Sequence, residues 1–93
     1  MALSVDQPCN YQTVLKLTKP FKDGRRIVLA ELAVHTGTSQ ALAEALKVEF
    51  EKARRVPELE ILKAFFPQEH YLKAEYFVRK VQIEYLEDIK GEQ

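Results

Sequence analysis

The feature that most constrains this chain is a turn signal, Asp23-Gly24, between two segments rich in strand-forming residues. Glycine adopts a positive φ without steric cost, and Asp-Gly is among the strongest signals for a hairpin turn. Before the turn, apolar or β-branched residues alternate with polar ones, with Val14 as the exception. The alternating positions are Tyr11, Thr13, Leu15 and Leu17, against Gln12 and Lys16. This pattern predicts a strand with one buried face, which Lys19-Pro20 ends.

The segment after the turn, residues 27–34, fits two structures. As a strand it would complete a β-hairpin and give the first strand the partner that it needs. As a helix it would begin a helix-turn-helix over residues 27–50 in a mostly α-helical fold, with Gly37 in the turn and Ser39 capping the second helix. The hairpin is the prediction, and the helix-turn-helix is the alternative.

Residues 39–55 predict an amphipathic helix. Apolar residues recur there at spacings of three and four, as one buried helix face requires. They are Leu42, Ala45, Leu46, Phe50 and Ala53. Thr38 or Ser39 can cap its start. Pro57 stops this helix and suits the first position of a second, short helix that ends before Pro67.

The last third of the chain has no Gly or Pro between Pro67 and Gly91, and it also fits two structures. Apolar residues at steps of three and four predict a helix of about 20 residues. They are Tyr71, Ala74, Val78, Val81, Tyr85 and Ile89. Alternation over residues 76–86 instead fits a strand, which would give a β-grasp-like strand-strand-helix-strand fold. Because strands that long are uncommon, the helix is the prediction.

The predicted fold class is therefore α+β, with an N-terminal β-hairpin, an amphipathic helix, a short helix and a long C-terminal helix. The 93 residues, of which 46% are hydrophobic, suffice for a single small folded domain. Residues 1–10 show no periodicity and form an arm that either docks on the domain or stays flexible.

Charge and cysteine content narrow the function classes. Fourteen basic and fourteen acidic residues give a formal net charge of zero, which argues against non-specific nucleic-acid binding. Cys9 is the sole cysteine, so no intramolecular disulfide forms and a reducing compartment fits best. The first ten residues lack the pattern of a signal peptide, and no apolar run approaches the roughly 18 residues that span a bilayer. The expected location is the cytoplasm, without membrane contact.

No pattern of catalytic or metal-binding residues stands out. Cys9, His35 and His70 are scattered without the paired spacing of a zinc site or of a Cys-His nucleophile. The three glycines are dispersed, so no glycine-rich phosphate loop is present. We expect no enzymatic activity, no cofactor and no small-molecule ligand.

The aromatic and aliphatic residues of the predicted last helix exceed what one core-facing stripe needs. In a small domain, such a surplus favours a homodimer or another protein partner, because Tyr and Phe are enriched at interfaces. The predicted interface residues are Tyr76, Phe77, Ile83 and Leu86. The alternative function is DNA binding by the helix-turn-helix. Its candidate contacts are Arg25, Arg26, Gln40 and Lys47.

One stretch resembles a known family. Residues 15–32, LKLTKPFKDGRRIVLAEL, resemble the N-terminal hairpin of phage tail assembly chaperones in their Lys-Pro pair, turn glycine and alternating strand. The resemblance covers about a fifth of the chain. It implies a non-enzymatic protein that binds a protein partner.

Overall fold

The computed structural model describes residues 9–82, which form a three-stranded antiparallel sheet and two short helices. The elements are β1 (Cys9–Pro20), β2 (Arg26–Gly37), α1 (Gln40–Lys52), α2 (Pro57–Ala64) and β3 (Lys73–Gln82). β1 lies in the centre of the sheet, between β2 and β3. Within the described residues, no helix combines the length and the apolar character that crossing a bilayer requires.

β1 and β2 form the predicted hairpin, so the strand interpretation of residues 27–34 is confirmed and the helix-turn-helix is wrong. At the turn, the N–H of Phe21 donates to the carbonyl of Arg25 at 2.8 Å, and the N–H of Gly24 donates to the carbonyl of Phe21 at 3.0 Å. Gly24 has a φ of 93°. Only glycine adopts this left-handed conformation readily, so the turn depends on it.

Replacing Gly24 by alanine is expected to lower the free energy of unfolding by about 1 kcal/mol, because a Cβ is strained at this φ. The loss comes from backbone conformation alone, since an added Cβ would meet no atom within 4 Å. Urea denaturation measures it. The exposed neighbour Lys22 provides the control, and its replacement by alanine should change stability by less than about 0.5 kcal/mol. Equal stability of the two variants would contradict the left-handed turn.

The two outer strands differ in regularity. The register of β2 against β1 shifts twice, and each shift leaves one β2 residue, Leu29 or Val34, without an opposite residue in β1. Such β-bulges bend and twist a strand. β3 pairs with β1 in one continuous register from Lys73 to Gln82. The sheet therefore has one irregular outer strand and one regular outer strand.

The core lies between the central strand and α1. Thr13, Leu15 and Leu17 of β1 are completely buried. The Thr13 hydroxyl donates to the carbonyl of Ala43 at 2.8 Å, which brings α1 close to the sheet. This approach requires a small residue, so Ala43 is the buried position of α1, whereas Leu42, predicted to face inward, is 47% exposed.

Both predicted helices before residue 67 are confirmed, with small differences at their ends. The Ser39 hydroxyl caps α1 by accepting a hydrogen bond from the N–H of Leu42 at 3.0 Å. α1 ends at Lys52, short of the predicted Arg55. Pro57 is the first residue of α2, where its missing N–H costs nothing.

The predicted long C-terminal helix is wrong. Residues 65–72 have no regular secondary structure, and residues 73–82 form β3, antiparallel to β1. The physical reason is non-local: β1 has a second edge that needs a hydrogen-bonded neighbour, and the β-branched and aromatic residues of this segment suit a strand. The alternative of a strand over residues 76–86 agrees with the structure for residues 76–82, and residues 83–86 lie outside the described part.

The predicted N-terminal arm is only partly described. Residues 1–8 lie outside the described part, whereas Cys9 and Asn10 already belong to β1 and pair with Gln82 and Val81 of β3. The central strand therefore begins earlier than the predicted start at Tyr11.

Candidate functional site

The sheet presents one face away from α1, which we call the open face. Its residues follow from the register of β1 with its neighbours, because directly opposite residues point to the same side of a sheet. They include Gln12, Val14 and Lys16 of β1, Glu31 of β2, and Glu75, Phe77 and Arg79 of β3. Charged and apolar side chains therefore alternate along β3 on this face.

Two charged clusters connect the strands across the open face. The Glu75 carboxylate pairs with Lys16 Nζ at 3.7 Å and with the guanidinium of Arg26. The Arg79 guanidinium donates to Gln12 Oε1 at 2.9 Å and to Glu31 Oε1 at 3.2 Å. Because these pairs are partly solvated, each contributes little to stability alone. Together they hold a negative charge at Glu75 and a positive charge at Arg79 in fixed positions on β3.

Phe77 lies between these two clusters. It is directly opposite Val14, which is completely buried although it faces away from α1. Lys16 Nζ lies 5.3 Å from the centre of the Phe77 ring, and the Arg79 guanidinium lies 5.9 Å from it. Cation–π contacts at such distances hold a ring in place. The centre of β3 is therefore an ordered aromatic position with a charged residue on each side.

The outer edge of β3, which we call the β3 edge, has no strand partner among residues 9–82. An unpaired strand edge presents free N–H and C=O groups and can pair with another chain. Natural proteins blunt such edges with bulges, and the other outer strand, β2, carries two. β3 has none against β1, so the β3 edge is the more regular template for pairing.

The β2 side of the sheet is less covered by the helices. Leu15 in the centre is completely buried, but its β2 neighbour Leu32 is 37% exposed. Ile27, near the start of β2, is 48% exposed. Val28, next to Ile27, is also 48% exposed, so β2 carries more than a single exposed apolar side chain. The bulged backbone beside these residues is nevertheless a poor template for strand pairing.

A cleft of about 580 Å³ lies between the end of α1, α2 and the start of β3. Its wall includes the rings of Phe50 and Tyr76, which stack with their centres 5.5 Å apart and their planes 15° from parallel. The charged residues that α1, α2 and their connection contribute to it are Glu51, Arg54, Glu60 and Lys63. The stacked pair connects α1 to β3 and thereby fixes the strand against the helical layer.

Burial raises the pKa of the Tyr76 phenol above 10.0, and the negative charge of Glu58 raises it further. The neutral phenol therefore contributes stability that is complete below pH 10 and is lost as pH rises through the folded-state pKa. The variant Tyr76→Phe is expected to lose less stability than the unmodified chain between about pH 9 and about pH 11. Urea denaturation at both pH values measures the difference. Tyr71→Phe, at a site 83% exposed, is the control for removing a phenol from the chain.

The residues considered for catalysis and metal binding are not brought together. Among residues 9–82 no group of three or more His, Cys, Asp or Glu could hold a metal ion. His35 lies on β2 against Gly37, and its Nε2 is buried without a hydrogen-bond partner within the described part. Cys9 starts β1, and His70 lies in the connection before β3. The three residues thus lie on three different segments of the described part of the chain.

Comparison with known proteins adds no assignment. No family model, no curated protein and no solved structure matches the chain. The resemblance of residues 15–32 to phage tail assembly chaperones thus remains a likeness of one hairpin.

The predicted interface residues do not share the single helical face that their spacing predicted. Tyr76 and Phe77 are neighbours on β3, so their side chains point to opposite faces, Tyr76 toward α1 and Phe77 to the open face. Ile83 and Leu86 lie outside the described residues. The single helical face that was to unite the four does not exist over residues 73–82, and what Tyr76 and Phe77 share is the β3 edge.

The four predicted DNA contacts are dispersed. Arg25 pairs with Asp23 in the hairpin turn, and Arg26 pairs with Glu75 on the open face. Gln40 begins α1, and Lys47 pairs with Glu51 one turn along that helix. They do not form a helix-turn-helix surface, because residues 26–37, which were to supply the first helix, form a strand.

Sequence reasoning missed Glu75 and Arg79, which occupy the centre of the charged clusters. The signal was present, since Glu75, Phe77 and Arg79 stand at every second position and so share one face of a strand. It was hidden because the same segment also satisfied a helical spacing.

Proposed function

We propose that the protein is a non-catalytic protein-interaction module that forms a homodimer, and that its interface is the β3 edge. The observation that carries this proposal is the regular ten-residue strand β3 with no outer partner among residues 9–82. Main-chain hydrogen bonds at such an edge supply affinity for another extended chain, and side chains that alternate between the two faces supply specificity.

The side chains of β3 support this proposal. Its centre, Tyr76-Phe77-Val78, is apolar and half-buried, and charged residues lie on both sides. An apolar centre with a polar rim is the usual anatomy of a protein interface. The charged residues of the open face pair with one another across strands, an arrangement suited to a stable surface rather than to a reacting centre. We assign the module to the cytoplasm, because a chain with one cysteine needs no oxidising compartment to fold.

Size-exclusion chromatography with light scattering over a dilution series tests the proposal. At high concentration the mass should approach twice the 10.8 kDa of the chain, and it should fall toward the monomer on dilution. We expect a reversible equilibrium, because pairing along one strand buries less surface than the roughly 1,600 Å² of a standard interface. A mass of 10.8 kDa at every concentration would overturn the homodimer.

The assembly-chaperone alternative predicts a different partner for the same kind of surface. In that case the β3 edge binds an extended segment of another protein, and the chain alone stays monomeric. Light scattering of the isolated chain therefore separates the two functions, and the homodimer is the one proposed here.

A further inference from the structure

We propose that β3 pairs with β3 of a second copy in an antiparallel register centred on Phe77, with Glu75 of each copy opposite Arg79 of the other. This inference rests on the proposed function and adds the pairing register. Two copies related by a two-fold axis perpendicular to the sheet form one continuous six-stranded sheet. Their open faces then lie on the same side, and one residue at the centre lies opposite itself.

Three centres are available within the apolar part of β3, namely Tyr76, Phe77 and Val78. A centre at Tyr76 places Lys73 opposite Arg79, and like charges directly opposite each other are destabilising. A centre at Val78 places Phe77 opposite Arg79 and leaves Glu75 without an opposite charge. Charge complementarity therefore disfavours both.

With the centre at Phe77, the charged and aromatic residues of β3 lie opposite favourable partners. Glu75 faces Arg79 of the second copy twice, once on each side of the axis, and such opposite-charge pairs stabilise a sheet. The two Phe77 rings meet on the open face, and Tyr76 faces Val78 on the face toward α1. Aromatic and aromatic–aliphatic cross-strand pairs are also favourable. The remaining open-face pair, Lys73 opposite Val81, carries no repulsion.

The side chains that this register needs are accessible. The Glu75 side chain is 27% exposed and the Arg79 side chain 41% exposed, although both contact partners in their own copy. A carboxylate accepts several hydrogen bonds and a guanidinium donates five, so each retains capacity for a partner across the new edge. The intrachain clusters hold both groups in place before the copies meet.

A charge-swap experiment tests the register. Glu75→Arg places Arg opposite Arg79, and Arg79→Glu places Glu opposite Glu75, so each variant alone should dimerise more weakly by roughly tenfold or more. An equimolar mixture of the two variants restores both opposite-charge pairs, but only between unlike copies. We expect the mixture to recover dimers, measured by light scattering, and those dimers to contain one copy of each variant by native mass spectrometry.

The control variant is Glu49→Arg on α1, which makes the same charge change at a side chain that is 70% exposed and does not belong to β3. It should dimerise like the unmodified chain. Circular dichroism shows whether each variant folds. If charge reversal unfolds one, Glu75→Gln and Arg79→Gln replace the pair. Each should weaken the dimer, and the mixture should recover part of it, because the mixed dimer regains one Glu75–Arg79 pair.

The outcomes separate the register from the function on which it rests. If the unmodified chain dimerises but the mixture does not recover, the register is overturned and the homodimer stands. If neither single variant weakens the dimer, the register is likewise overturned. If the unmodified chain is monomeric at every concentration, the homodimer fails and the register fails with it. Recovery on mixing cannot come from intrachain contacts, because mixing does not change them.

Discussion

Replacing Leu15 by alanine is expected to lower the free energy of unfolding by about 2–5 kcal/mol. Leu15 is completely buried in the central strand, opposite Leu32 of β2 and Tyr76 of β3. Its truncation removes apolar burial and leaves a cavity that neighbours on both sides share. Domains of this size typically have about 5–15 kcal/mol of stability, so this loss is a large share of the total.

Urea denaturation followed by circular dichroism measures this loss. Ile61→Ala on α2 is the control, because that side chain is 59% exposed, and its effect should stay within about 0.5 kcal/mol. Similar midpoints for the two variants would contradict the placement of the core between β1 and α1.

Replacing Thr13 by valine is expected to cost about 1–3 kcal/mol, although the two side chains have nearly the same shape. The buried Thr13 hydroxyl donates a hydrogen bond to the carbonyl of Ala43 at 2.8 Å. This bond joins α1 to the central strand. A methyl group cannot donate and cannot approach an oxygen so closely. The variant therefore loses a buried hydrogen bond and also moves the helix away from the sheet.

The matched control is Thr36→Val, at an exposed site where the threonine oxygen only accepts a hydrogen bond from Gln12 Nε2 at 3.3 Å. Its cost should be below about 0.5 kcal/mol. The measurement is the same urea titration. Equal effects at the two sites would mean that the Thr13–Ala43 contact does not hold α1 on the sheet.

The elements that sequence reasoning predicted correctly are those whose signals are local. The Asp23-Gly24 turn specifies the hairpin, and Ser39 and Pro57 mark the starts of the two helices. Within α1 the buried position was misplaced, because Ala43 is chosen by the close approach of Thr13, which lies 30 residues away in sequence. A helical pattern identifies a helix but does not show where another element touches it.

β3 was missed for the same kind of reason. The sequence of this segment fits two structures equally well. The spacing of Tyr71, Ala74, Val78 and Val81 suits a helix, and the alternation of residues along the same segment suits a strand. Only the pairing with β1 decides for the strand. The candidate site depended on that decision. Tyr76 and Phe77 were named on the basis of a helical face, whereas Glu75 and Arg79 become neighbours of Phe77 on one face only in a strand.

The most direct test of the central claim, that β3 pairs with itself, is disulfide cross-linking of the variant Lys73→Cys/Val81→Cys with Cys9→Ser. Within one copy these positions lie eight residues apart on one strand, about 26 Å, far beyond the roughly 7 Å limit between the Cα atoms of a disulfide. In the register centred on Phe77 they lie directly opposite each other in two copies.

Mild oxidation of the folded double variant should therefore give a covalent dimer on a non-reducing gel. The single variants Lys73→Cys and Val81→Cys, also with Cys9→Ser, should give no covalent dimer on that gel, because each places its cysteine opposite a residue that is not cysteine. Failure of the folded double variant to cross-link, or equal cross-linking of the single variants, would contradict pairing of the β3 edges in the register centred on Phe77.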